Sequence, residues 1–97
     1  EFATLIADPD IQRLDVRTVA EYSEEHIPGS ININVLDEQF AVIADSTLQK
    51  DKPIALYCRS GKRSKKAATI LSRKGYKVYD LDKGFIGWKE AGKETEK

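Results

Sequence analysis

The feature that most constrains this chain is the segment Pro53 to Cys58. It is apolar at nearly every position, ends in the only cysteine, and runs into a short polar loop containing Gly61. A run of this kind is predicted to be a strand covered on both faces. Such a strand needs helices to cover it, and helix-forming segments do alternate with strand-forming ones along the sequence. Phe2 to Ala7 reads as a short helix stopped near Pro9, and Ile11 to Val16 as a strand. Thr18-Val-Ala-Glu21 has the form of a capping box opening a short helix to about Glu25, and Pro28-Gly29 breaks the chain. Ile31 to Asn34 reads as a strand. Asp37 to about Ala44 reads as a helix offering Phe40, Ile43 and Val42 to the core. After the central strand, Arg63 to Lys74 is the clearest helix. Its apolar stripe is Ala67, Ala68, Ile70 and Leu71, with Gly75 where a left-handed cap belongs. Tyr76 to Leu81 reads as a strand, and Phe85 to Ala91 as a last helix closed by Gly92. The βαβαβαβα order predicts an α/β fold, an open parallel sheet with helices on both faces. Ligands of such sheets bind beyond the C-terminal ends of the strands, where Cys58, Asp15 and Arg17 all fall.

With 97 residues the chain has room for one domain, residues 1–97, and its 40% hydrophobic and 33% charged content argues against disorder. No apolar run approaches the roughly 20 residues of a spanning helix. One cysteine excludes an internal disulfide. A chain that starts at Glu1 and has no Met is expected to be a processed, excised or trimmed piece. The compartment stays open between the cytoplasm and, after removal of a signal peptide, the periplasm. Residues 93–97 are expected to be a frayed polar tail. Net charge is zero but divided: ten acids and three bases in residues 1–50, six acids and thirteen bases in residues 51–97. The second half therefore carries a positive field.

Cys58-Arg59-Ser60-Gly61-Lys62-Arg63-Ser64 is the candidate site. A tight loop from strand to helix turns successive backbone N–H groups inward, and the first turn of the helix adds unpaired ones. A sulfur at the mouth of that loop sits in positive potential, which favours the nucleophilic thiolate. Gly61 permits a backbone geometry that a side chain would obstruct. Arg59, Lys62 and Arg63 add charge that attracts a small dianion. A lone cysteine ending a strand is often simply packed. Here the strand, the glycine loop, three bases and a helix start coincide, which points to chemistry. Lys65, Lys66, Arg73 and Lys74 read as solvated helix faces.

These residues, with Leu14-Asp15-Val16-Arg17, Glu21-Tyr22, His26-Ile27-Pro28-Gly29-Ser30-Ile31-Asn32, Gly75-Tyr76, Gly84-Phe85 and Gly87-Trp88, resemble the rhodanese homology domain, the thiosulfate sulfurtransferase family. The resemblance covers nearly the whole chain. It implies a rhodanese-like sheet of four to five strands in which the strand ending in Asp15 lies beside the one ending in Cys58. It departs at Glu25, where the family often has Gly, and at Ser30, where it often has Ala. The family's short first strand is expected to be missing ahead of Glu1. The implied activity is sulfur transfer, from thiosulfate or a similar sulfane-sulfur donor, through a Cys58 persulfide. The acceptor would be a thiol such as glutathione, thioredoxin or a sulfur carrier, or cyanide. No metal or organic cofactor is required, and a monomer is expected.

Other residues carry smaller claims. Asp15 is expected to orient the loop by accepting its amides or pairing with a base. Arg17 is expected to pair with Glu21, and His26 to be a turn residue held by hydrogen bonds. Trp88 is expected to be a core or rim aromatic. Two other readings stay open: a non-catalytic docking or regulatory module, and a Cys-based phosphatase or arsenate reductase. The latter is disfavoured because only four residues separate Cys58 from Arg63, one fewer than that loop uses. Nucleic-acid binding is set aside, since aromatics are not interleaved with the bases.

Overall fold

A computed structural model describes residues 2–97. Its elements follow the expected order: α1 Phe2–Ile6, β1 Gln12–Asp15, α2 Val19–Glu24, β2 Ile31–Asn32, α3 Phe40–Thr47, β3 Ile54–Tyr57, α4 Lys62–Arg73, β4 Val78–Asp80 and α5 Gly84–Glu90. The four strands are all parallel, in the order β2-β1-β3-β4. From β1 the chain steps outward to β2, then crosses back to place β3 on the other side of β1. The crevice where this reversal happens, between the C-terminal ends of β1 and β3, is where parallel sheets bind ligands. Asp15 pairs in register with Tyr57 at that edge. No helix among the described residues is long and apolar enough to cross a membrane.

Every residue of β3 is buried, which accounts for its unbroken apolar character. Alternate side chains feed two cores. Ile54, Leu56 and Cys58 join Leu14, Val16, Phe40, Ala44, Ala67 and Leu71 on the α3–α4 face. Ala55 and Tyr57 join Ile6, Ile27 and Phe85 on the α1–α5 face. The helix on which the site depends, α4, ends in a left-handed Gly75 (φ 99°), whose N–H bonds the Ser72 carbonyl while Tyr76 N–H bonds Leu71. That closing motif satisfies two end carbonyls and tucks Tyr76 into the core.

Two expectations need correction. Helix α3 begins at Phe40, three residues later than the expected Asp37, because Asp37 makes a local turn: its carboxylate accepts Gln39 N–H and its carbonyl accepts Phe40 N–H. The helix buries Phe40 and Ala44 and leaves Val42 61% and Ile43 36% exposed, so neither of the latter joins the core as expected. The end of the chain is not frayed either. Glu96 exchanges backbone hydrogen bonds with His26 in an antiparallel bridge, and Trp88 Nε1 donates to the Glu94 carbonyl.

Candidate active site

The strand β3 delivers Cys58 to the floor of the loop, and helix α4 starts four residues later. Gly61, in the left-handed region at φ 99°, turns its N–H back to the sulfur at 3.0 Å. An added Cβ there would lie 2.0 Å from the Asp82 carbonyl oxygen, so the position demands glycine on space as well as on φ. Burial pushes the Cys58 thiol up. The Ser64 hydroxyl and the amides of Ser64, Gly61 and Ser60 outweigh it and hold the thiol below its ordinary value. Ser64 itself is buried, and its hydroxyl donates to the Gly61 carbonyl at 3.1 Å. Cys58 is only 1% exposed. Arg59, Ser60 and Lys62 are exposed on the loop rim, and the Arg59 and Lys62 side chains have no ion pair among the described residues.

The loop is braced from outside by α5, a role not read from the sequence. Phe85 N–H donates to the Cys58 carbonyl at 2.8 Å and Ile86 N–H to the Arg59 carbonyl at 3.0 Å. These bonds draw the carbonyls outward, which leaves the amides facing in. The close approach requires Gly84 (φ 64°), where a Cβ would stand 2.4 Å from the Arg59 carbonyl oxygen. Gly84-Phe85 was visible as a motif in the sequence, but its contact with the loop was not.

Arg63 does not point at the sulfur as a free cation. Two of its guanidinium nitrogens bond the Glu21 carboxylate, at 2.8 and 3.0 Å. Glu21 also completes the expected capping box with Thr18. Arg63 above all, against the opposing effect of burial and with Thr18 adding to it, holds the Glu21 carboxyl down to about 2.

The expected Arg17–Glu21 pair is therefore not formed. Arg17 instead grips Asp15, with Nη2 to Oδ2 at 2.7 Å, bonds the Glu25 carbonyl at 2.6 Å, and stacks over Phe85 with its guanidinium carbon 4.3 Å from the ring centre. The physical reason is Asp15. It is fully buried at the end of β1, and a buried carboxylate without a cation would be strongly destabilising. Asp15 also accepts the Tyr57 hydroxyl at 2.8 Å and the Arg17 amide at 2.9 Å. It thus pairs with a base but takes no amide of the cysteine loop. Burial, and then the Asp15 charge, push the Tyr57 phenol far above its usual range.

His26 lies not in a turn but in the bridge to Glu96 just after α2, stacked on Tyr22 at 3.7 Å, with Nδ1 donating to the Tyr22 carbonyl and Nε2 3.1 Å from Glu96. Next to the loop is an open cavity of about 350 Å3, walled by Arg17, Glu21, Glu25, Arg59, Phe85 and Lys89 among others.

Comparison with known proteins agrees with this layout. A sequence profile described as Rhodanese-like domain matches residues 1–91. The chain is 36% identical over 87 residues to the thiosulfate sulfurtransferase GlpE of Coxiella burnetii, covering 88% of this chain and 78% of that protein. It is 34% identical over 84 residues to a sulfurtransferase of Allochromatium vinosum, covering 86% and 76%. Among solved structures, a rhodanese-related protein from Thermoplasma volcanium superposes with a TM-score of 0.81 at 32% identity, covering 98% of this chain and 93% of the other. The Alr3790 protein from Anabaena superposes at 0.86 with 29% identity, covering 98% and 75%.

Proposed function

The chain belongs to the rhodanese-like domain family, and from that premise we propose that it is a sulfurtransferase that carries sulfane sulfur as a persulfide on Cys58. The observation that carries this reading is the Gly61 N–H held 3.0 Å from the Cys58 sulfur, within a loop whose Ser64 hydroxyl and amides hold the thiol below its ordinary value. A donor set of this kind favours a sulfur anion, whether thiolate or persulfide, and costs no reorganisation when the charge arrives.

In the first half-reaction thiosulfate, or a similar sulfane-sulfur donor, approaches the rim formed by Arg59 and Lys62, with Arg63 behind it. The Cys58 thiolate attacks the outer sulfur. The donor S–S bond breaks, and sulfite leaves with its electron pair. The new S–S bond places the outer sulfur about 2 Å beyond Cys58 Sγ, which brings it from the buried floor toward the rim. In the second half-reaction a thiophilic acceptor takes that sulfur and restores the thiolate, giving ping-pong kinetics. Ser60, Gly61 and Ser64 shape the cradle, and Asp15 with Arg17 holds the neighbouring strand end.

Intact mass spectrometry after thiosulfate treatment tests this. A gain of one sulfur on Cys58, reversed by a thiol, is expected. Equal thiosulfate:cyanide rates for the wild type and Cys58→Ser would end the catalytic reading.

A further inference from the structure

Asp80, the last residue of β4, puts a second carboxyl group near the cysteine loop, and its role deepens the sulfur-transfer reading above. It pairs in register with Leu56. Residues in register share a face of the sheet, so the Asp80 side chain lies on the α4 side with Leu56 and Cys58. That is a poor place for a charge. The side chain is 17% exposed, and its Oδ1 is buried with no hydrogen-bond partner among the described residues. The cation beside it, Lys65, holds its Nζ 3.8 Å from Oδ2 and lies closer, at 3.3 Å, to Asp82. Native folds rarely leave such an oxygen unpaired. One neighbour can answer it. The Ser64 hydroxyl is buried and bonds the Gly61 carbonyl at 3.1 Å, and it favours the charged forms of both Cys58 and Asp80. A hydroxyl has one proton to donate and two lone pairs that accept. It cannot donate to the sulfur and to a carboxylate at once.

We propose that Asp80 is a positioning residue for Cys58 that acts through Ser64. As a neutral acid it donates to Ser64 Oγ and turns that hydroxyl onto the sulfur anion. As a carboxylate it draws the hydroxyl away. The charged groups acting on the pair are Lys65 on α4 and Asp82 after β4, both on Asp80, and Arg63 on α4, on the sulfur. Burial above all pushes the Asp80 carboxyl up, with Asp82 adding to it and Ser64 and Lys65 opposing. Asp80 is thus readier than an ordinary surface acid to hold a proton. Negative charge on the sulfur, as thiolate or as persulfide, goes with a proton on Asp80, and the two groups titrate as a coupled pair. That proton exchanges with water at the exposed part of the Asp80 side chain. No bond between heavy atoms forms or breaks, and nothing is oxidised or reduced.

The test is the pH profile of Cys58 alkylation by iodoacetamide in wild type, Asp80→Asn, Ser64→Ala and the double variant. Asparagine matches aspartic acid in size and, like the neutral acid, carries a donor. Asp80→Asn should move the apparent midpoint to lower pH. In the Ser64→Ala background the same substitution should move it less, because the hydroxyl that carries the effect is gone. Asp80→Ser, a smaller neutral donor, is read in the same way. A midpoint that does not fall when Asp80 is replaced would overturn the proposal. So would a fall as large without Ser64 as with it, which would mean that Asp80 acts on the sulfur by charge alone. Alkylation needs no sulfur transfer, so the two readings fail separately. Wild-type protein that gains no sulfur from thiosulfate, by intact mass, would overturn sulfur transfer, while the alkylation profiles would still decide the link from Asp80 to Cys58.

Discussion

Glu21 and Arg63 tie the start of α2 to the start of α4 with two hydrogen bonds, across 42 residues of sequence. The pair fastens the helix whose first turn closes the cysteine loop. A guanidinium in a two-point clamp with a carboxylate is fixed in direction as well as in charge.

That clamp makes stability depend on acid. Glu21 titrates at about 2 in the folded protein against an ordinary 4.5. A depressed carboxyl contributes stability that is present above its unfolded value and lost as pH falls through the folded one. Unfolding free energies of wild type and Glu21→Gln from urea titrations should differ by on the order of 2 kcal/mol near neutrality. The gap should close between about pH 4.5 and pH 2. A gap that stayed constant over that range would show that the carboxylate charge is not what matters.

The sulfur should be both activated and shielded. Burial opposes ionisation of Cys58 and the loop donors favour it, with the donors prevailing. The pH profile of alkylation by iodoacetamide should give an apparent value below that of a free cysteine. Ser64→Ala should raise it, since it removes the hydroxyl that does most to offset burial at the sulfur. With Cys58 only 1% exposed, a bulky maleimide should react far more slowly than iodoacetamide, relative to their rates with free cysteine. Equal relative rates would mean that the loop opens freely.

The glycines separate strain from collision. Gly75 and Gly84 both have positive φ, at 99° and 64°, but a Cβ on Gly75 meets nothing within 4 Å. Gly75→Ala should cost about 1 kcal/mol, the conformational penalty alone. Gly84→Ala adds a collision with the Arg59 carbonyl and should cost at least about 2 kcal/mol more, with loss of sulfur loading. Matching melting temperatures for the two variants would rule out the bracing role of α5.

The last residues should behave as a strap. Removing residues 93–97 deletes the His26–Glu96 backbone pair, the Glu96 contact with the His26 ring, and the Thr95 hydroxyl on Glu25. A loss of about 2 kcal/mol in unfolding free energy is expected, from these four hydrogen bonds at about 0.5 kcal/mol net each. An unchanged denaturant midpoint would show the tail to be dispensable.

Much of this was legible beforehand because it is local. The capping box of Thr18 and Glu21, the apolar run ending at Cys58, the stripe of α4 and the glycine at its end are each set by neighbours within a few residues. Together they determined the alternating α/β order and marked Cys58 and its loop as the candidate site. Where the pattern misplaced a helix start, a local competitor was the cause, as when the Asp37 turn delayed α3.

Partner choice was decided only in three dimensions. Arg17 had two acids within reach along the chain, Asp15 and Glu21. Burial of Asp15 at the end of β1 made its need for a cation the greater, and Glu21 was then free for Arg63, which sheet order brings beside it. The same holds for Gly84 against the Arg59 carbonyl, and for Glu96 on His26. Spacing along a chain says which groups exist. Which of them meet depends on the strand order and on which charges the fold takes out of water.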